Sequence, residues 1–215
     1  MEGLAQFRPD WKVRKMSTTT ANPRVLVESI SLTWVKNLLA VFTGTAFISL
    51  MAQVSIPLPF TPVPLTGQTL AVLLTAGALG TWRSISSSVL YLALAVAGLP
   101  VLTPQADGSH IVGTQVFQMA SFGYVVGFIL ASFVVGKLSE RGLSKSIVGT
   151  LLIMAVGNVV IYSAGLVNLK NVTGAEWTQV FAWGLTPFII GDLIKIAIAA
   201  NLMPATWKIV SRIQD

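Results

Sequence analysis

The sequence predicts an all-α membrane protein of six transmembrane helices, with both termini cytoplasmic and a proline-rich extracellular lid loop between helices 1 and 2. Three observations predict it. Only 10% of the 215 residues are charged and 53% are hydrophobic, and the mean hydropathy is +0.75. Soluble domains carry about a quarter charged residues, so this chain lacks the polar groups to cover a water-facing surface. Apolar stretches recur along the chain between short polar connections. The basic residues gather on alternate connections, the pattern that sets membrane topology.

The stretch 1–31 is a polar, basic extension ahead of a membrane domain at 32–215. It lacks the apolar core and small-residue cleavage site of a secretory signal, and reads as a cytoplasmic extension or a surface amphipathic segment. The first apolar segment runs from Trp34 to Ile56, the second from Thr69 to Gly80 and the third from Ser84 to Leu99. The fourth runs from Phe117 to Leu138, the fifth from Ile147 to Val167 and the sixth from Val180 to Met203. Segments two and three fall short of the roughly twenty residues of a full span, so they are expected to be tilted, partly re-entrant or extended at their ends. With six spans, Arg8, Lys12, Arg14, Lys15, Arg24, Lys36, Arg83, Lys137, Arg141, Lys145, Lys208 and Arg212 share one side. The other side receives only Lys170, which puts both termini in the cytoplasm.

Composition also excludes several functions. There is no cysteine, hence no disulfide and no thiolate chemistry. The single histidine, His110, sits in a polar loop without the partners a metal needs, and is read as a solvated loop residue. No metal site and no cofactor is expected. The net charge of +6 is spent on topology and forms no basic, aromatic-studded face for nucleic acid. No phosphate-binding loop of the form GxxxxGK[ST] is present, so ATP could act only through partner subunits.

The sixth segment carries the strongest functional signal. Asp192 and Lys195 stand three residues apart in an otherwise apolar run from Phe188 to Ala200. At that spacing they share a helical face, and ionisable groups at membrane depth are costly enough to mark function. Either they neutralise each other for packing, or they face a cavity and hold a polar solute. In the stretch 55–69, four prolines (Pro57, Pro59, Pro62 and Pro64) forbid helix and favour a stiff extended segment. Thr66 and Gln68 lie at its membrane end. It is either a lid or a rigid connection. Tyr91, Tyr124, Asn158 and Tyr162 are buried donors and acceptors that serve neighbouring helices or a polar ligand. Gly123, Gly127 and Ala131 repeat at four-residue spacing, which lets helices approach closely; Ala40 and Gly44 make a second such pair that packs within the bundle or docks a partner helix.

Five pieces in order resemble one family. They are Pro62–Leu70 (Pro-Val-Pro-Leu-Thr-Gly-Gln-Thr-Leu), Leu90-Tyr91-Leu92, Gly98-Leu99-Pro100-Val101, Gly123–Phe128 (Gly-Tyr-Val-Val-Gly-Phe) and Pro187–Lys195. The set resembles BioY, the biotin-binding S component of energy-coupling-factor transporters, over roughly residues 34–210. The resemblance implies six helices and a site covered by the first loop. As partners it implies biotin, a transmembrane coupling subunit and two cytoplasmic ATPase subunits, with lipid around the helices. It places Asp192 and Lys195 at the biotin site, together with Tyr91 and the Thr66–Gln68 end of the loop. It gives Ala40 and Gly44 the docking role, although position 44 more usually holds alanine. A site for a different vitamin and an ion-coupled carrier use the same residues and stay open, as does homo-oligomerisation. An enzyme is not expected, because neither a second carboxylate nor a nucleophile accompanies Asp192.

Overall fold

A backbone in lipid has to satisfy its own hydrogen bonds, which leaves helices as the economical solution for a chain this apolar. The computed structural model describes residues 24–29 and 34–214; the basic residues Arg8 to Lys15 and most of the 1–31 extension lie outside them. Among the described residues there are seven α-helices: α1 (Trp34–Gln53), α2 (Gln68–Leu79), α3 (Thr81–Val96), α4 (Phe122–Glu140), α5 (Ile147–Thr173), α6 (Trp177–Gly184) and α7 (Ile189–Gln214). The other regular structure is a two-residue hairpin, β1 (Ser55–Ile56) antiparallel to β2 (Leu65–Thr66), with Ser55 opposite Thr66 and Ile56 opposite Leu65, and short 3₁₀ turns.

Among the described residues four stretches are long and apolar enough to cross a bilayer: α1, α4, α5 and the run from Trp177 to Ile209. The second and third expected segments are real helices, but α2 has 12 residues and α3 has 16. Helix α3 reads as weakly apolar because its polar side faces inward. Ser84, Ser87 and Ser88 are buried; Ser87 Oγ donates to the Val41 carbonyl at 3.0 Å, and Ser88 Oγ meets Ser132 Oγ at 2.9 Å. The outside is apolar instead, with Leu39 and Phe42 of α1, Val159 of α5 and Ile190 of α7 all exposed. This inversion suits a lipid surround, where interhelical hydrogen bonds and close packing hold the bundle together.

The sixth expected segment is not one helix. Pro187 has no amide hydrogen to continue the ladder, so α6 ends at Gly184 and a 3₁₀ turn, Thr186–Phe188, leads into α7. Between α2 and α3 only Gly80 intervenes, at φ +77°, a value that side-chain-bearing residues avoid. The small residues of α4 close onto α5: a Cβ on Gly127 would meet Ile161 Cα at 2.8 Å. The expected packing role of that stripe is therefore what the geometry shows.

Of the Ala40 and Gly44 pair, Gly44 packs within the bundle. It is buried, and a Cβ there would meet Ser87 Oγ at 2.5 Å and Thr75 Cγ2 at 2.8 Å. Its hydrogen side chain is what brings α1 onto α2 and α3; Ala40 is half-buried.

The contacts also sort the connections into two ends. At one end Arg83 Nε donates to Asn37 Oδ1 at 2.9 Å and the Thr81 amide donates to Glu140 Oε1 at 2.8 Å. There too Lys145 lies 4.6 Å from the Trp207 ring centroid, and the buried Val25 reaches Gly80. Both described chain ends thus lie at the end that holds the basic connections. At the opposite end Thr61 Oγ1 donates to the Trp183 carbonyl at 2.8 Å, and Asn168 Nδ2 donates to the Ala120 carbonyl at 3.1 Å.

Candidate binding site

At the end away from the basic connections, a cavity of about 60 Å³ opens between the hairpin loop and the helices. Thr66, Gln68, Tyr124, Tyr162, Asp192 and Lys195 all line it, so six residues singled out in the sequence meet there from four different helices and the hairpin. Asp192 and Lys195 are the only charged groups in its lining.

The acid–base pair is in contact, with Asp192 buried and Lys195 half-buried. Lys195 Nζ donates to Asp192 Oδ1 at 3.0 Å and to Thr69 Oγ1 at 2.9 Å. Thr69 Oγ1 in turn donates to Asp192 Oδ1 at 3.3 Å, and the Tyr162 hydroxyl donates to Asp192 Oδ2. Asp192 is 5% exposed. A buried ion pair is tolerated only when the remaining lone pairs and protons are also satisfied, which Thr69 and Tyr162 help to do. The break at Pro187 contributes as well. By starting α7 at Ile189 it puts Asp192 in the first helical turn, where the unpaired amides favour a carboxylate. A continuous sixth helix would not offer that.

Gln68 forms the second polar wall, fixed on both ends of its amide. Its Oε1 accepts from Thr103 Oγ1 at 2.9 Å and Thr66 Oγ1 at 3.2 Å. Its Nε2 donates to the Tyr91 hydroxyl at 2.5 Å. Tyr91 is fully buried and is not in the cavity lining; it holds Gln68 from behind. Tyr124 commits its hydroxyl to the Gly184 carbonyl at 2.8 Å. Its ring packs edge-on to Tyr162 at 6.1 Å, and with Phe128 and Phe188 it gives the cavity apolar walls. Asn158 is also outside this lining and borders a smaller space beneath Lys195. Val63 and Pro64 of the proline-rich loop complete the wall on the hairpin side.

Sequence reasoning missed Thr69, Thr103 and Ser121. Thr69 is one helical position past Gln68, and its role depends on α7 lying against α2, which no local pattern announces. Thr103 and Ser121 come from the connection between α3 and α4. His110, expected to be solvated, is half-buried there and its Nδ1 lies 2.9 Å from the Leu102 carbonyl, clasping the same connection. Among the described residues no group of three or more potential metal ligands is found.

The arrangement combines a neutral pair of charges, a fixed amide and aromatic rings around one cavity. Ligand pockets are usually built this way, apolar walls with a few placed polar groups. A family model described as the BioY family matches residues 17–212. The biotin transporter BioY of Rhizobium etli is 38% identical over 154 residues, covering 68% of this chain and 79% of that protein. The biotin transporter BioY of Thermotoga maritima is 35% identical over 156 residues, covering 73% of this chain and 86% of that protein. The crystal structure of the S-component for biotin from an ECF-type ABC transporter superposes with a TM-score of 0.72 at 28% identity, covering 83% of this chain and 95% of that one. With the family model spanning nearly the whole membrane domain and these relatives matching across most of their length, the chain belongs to the BioY family.

Proposed function

We propose that this protein is the biotin-capturing membrane subunit of an energy-coupling-factor transporter and has no catalytic chemistry of its own. The observation that carries the reading is the Asp192–Lys195 pair facing the cavity, in a chain whose relatives are biotin transporters. Biotin's ureido group has two N–H donors and one carbonyl acceptor. Asp192 offers carboxylate acceptors and Lys195 an ammonium donor, a matching set, while Tyr124, Phe128 and Phe188 suit the apolar bicycle.

Six crossings, with the short α2 and α3 completing the set, would put twelve of the fourteen basic residues of the sequence on one side, which supports cytoplasmic termini. On that orientation the hairpin loop faces outside and serves as the lid. A coupling subunit and two ATPase subunits supply the energy, since the chain has no phosphate-binding loop of its own. The coupling subunit would meet α1 on the face bearing Leu39, Phe42 and Leu50, because Gly44 is enclosed.

Titration calorimetry of the purified protein with biotin tests the reading, and one-to-one binding is the expected result. Failure of a folded sample to bind biotin while binding another vitamin would reassign the ligand. Two variants probe the geometry. Tyr162→Phe removes a hydrogen bond to a charged acceptor, worth about 1.5–3 kcal/mol, and should weaken biotin binding roughly tenfold; unchanged affinity would mean that the Tyr162 contact does not shape the site. Thr61→Val cuts the loop's hydrogen bond to Trp183, a neutral one worth about 1 kcal/mol. Biotin release followed by stopped flow should then be about fivefold faster, and an unchanged rate would deny the loop a lid role.

A further inference from the structure

Lys195 carries three ammonium donors, and two are used, by Thr69 and Asp192. On the side of Lys195 away from the hairpin lies a second cavity of about 10 Å³, bordered by Thr69, Leu73, Met154 and Asn158. That is about the space of one water molecule. Asn158 is only 7% exposed, and its Oδ1 has no hydrogen-bond partner. A buried acceptor left bare is destabilising, and few such groups survive in folded proteins without a water or ion to satisfy them. An unused cationic donor and an unused amide acceptor thus border one water-sized space.

We propose that a single buried water bridges Lys195 Nζ and Asn158 Oδ1, and that Asn158 thereby acts as a positioning residue for the lysine. The water accepts the third ammonium proton and donates one of its own to Asn158. Helix α5 then holds both members of the ion pair from one face. Tyr162 reaches Asp192 directly, and Asn158, one helical turn earlier, reaches Lys195 through the water. The ammonium is fixed below as well as beside, so it faces the cavity already ordered, and a ligand carbonyl takes the proton that Thr69 accepts in the empty site. Asn158 touches no ligand. This inference rests on the reading of Lys195 as part of a biotin site.

Biotin affinity of Asn158→Leu and Asn158→Ser, measured beside wild type, separates positioning from packing. Leucine fills the space but has no acceptor, and should weaken binding about five- to twentyfold. Serine keeps an acceptor and leaves room for a second water, and should bind within about twofold of wild type. A packing role gives the reverse order, and that order, or equal affinity of all three proteins, overturns the proposal. A high-resolution structure of the wild-type protein provides a test that needs neither variant nor ligand. Ordered density within hydrogen-bonding distance of both Lys195 Nζ and Asn158 Oδ1 is expected, and a dry cavity overturns the proposal. Wild-type protein that shows this density yet fails to bind biotin would keep the water bridge and sink the ligand assignment instead.

Discussion

Asp192→Asn is expected to weaken biotin binding by about ten- to a hundredfold in titration calorimetry. The carboxylate accepts from Lys195, Thr69 and Tyr162, and an asparagine can replace only part of that set because one of its terminal atoms is a donor. Charge-assisted hydrogen bonds are worth about 1.5–3 kcal/mol each, which sets the range. The substitution also leaves the half-buried Lys195 without its counter-charge, and breaking a buried pair costs at most about 3–5 kcal/mol. A lower melting temperature should therefore accompany the lost affinity. The double variant Asp192→Asn with Lys195→Met removes that charge, and should recover much of the thermal stability while remaining unable to bind tightly. Wild-type affinity in the folded single variant would remove Asp192 from the site.

The largest stability effect is expected at Gly127. A Cβ there would meet Ile161 Cα at 2.8 Å and the Ile161 carbonyl oxygen at 2.9 Å, so the obstruction is backbone and cannot swing aside. Overpacking a tight contact costs about 1–3 kcal/mol or more, and for a chain of this size that corresponds to a fall of about 2–12 °C in melting temperature. Gly127→Val should show at least that loss, or fail to give a monodisperse peak on size exclusion. Leu130→Val, on the outward side of the same helix, should melt within about 1–2 °C of wild type. Equal melting of the two variants would mean that α4 and α5 are not held at the separation described.

Much of this was readable from the chain because the strongest constraints of a membrane are compositional. The apolar segments, the Asp192–Lys195 pair at one-turn spacing and the proline run that cannot be helix are each a local pattern with one dominant physical cause. The face of a helix is harder to read. In water the buried side is the apolar side; here lipid takes the apolar side, so hydropathy could not tell that Ser87 points inward or that Gly44 lies beneath it. Tyr91 and Asn158 were recognised as buried polar groups, yet whether each meets the cavity or supports a neighbour depends on helix rotation, which is a tertiary property. The break before α7 was signalled by Pro187 but masked by strong hydropathy on both sides. Thr69 had no signal at all, since a threonine beside a helix start is ordinary until another helix is placed against it.

The electrical neutrality of the pocket lining has a consequence for how the site responds to voltage. Moving one elementary charge through a full membrane potential of 100 mV involves about 2.3 kcal/mol. Asp192 and Lys195 carry opposite charges 3.0 Å apart, so the work the field does on one is cancelled by the work on the other wherever the pair sits in the bilayer. The loaded site therefore has only the charge of its cargo. A neutral cargo would bind independently of membrane potential, and any voltage sensitivity measured in proteoliposomes would report the cargo's own ionisation.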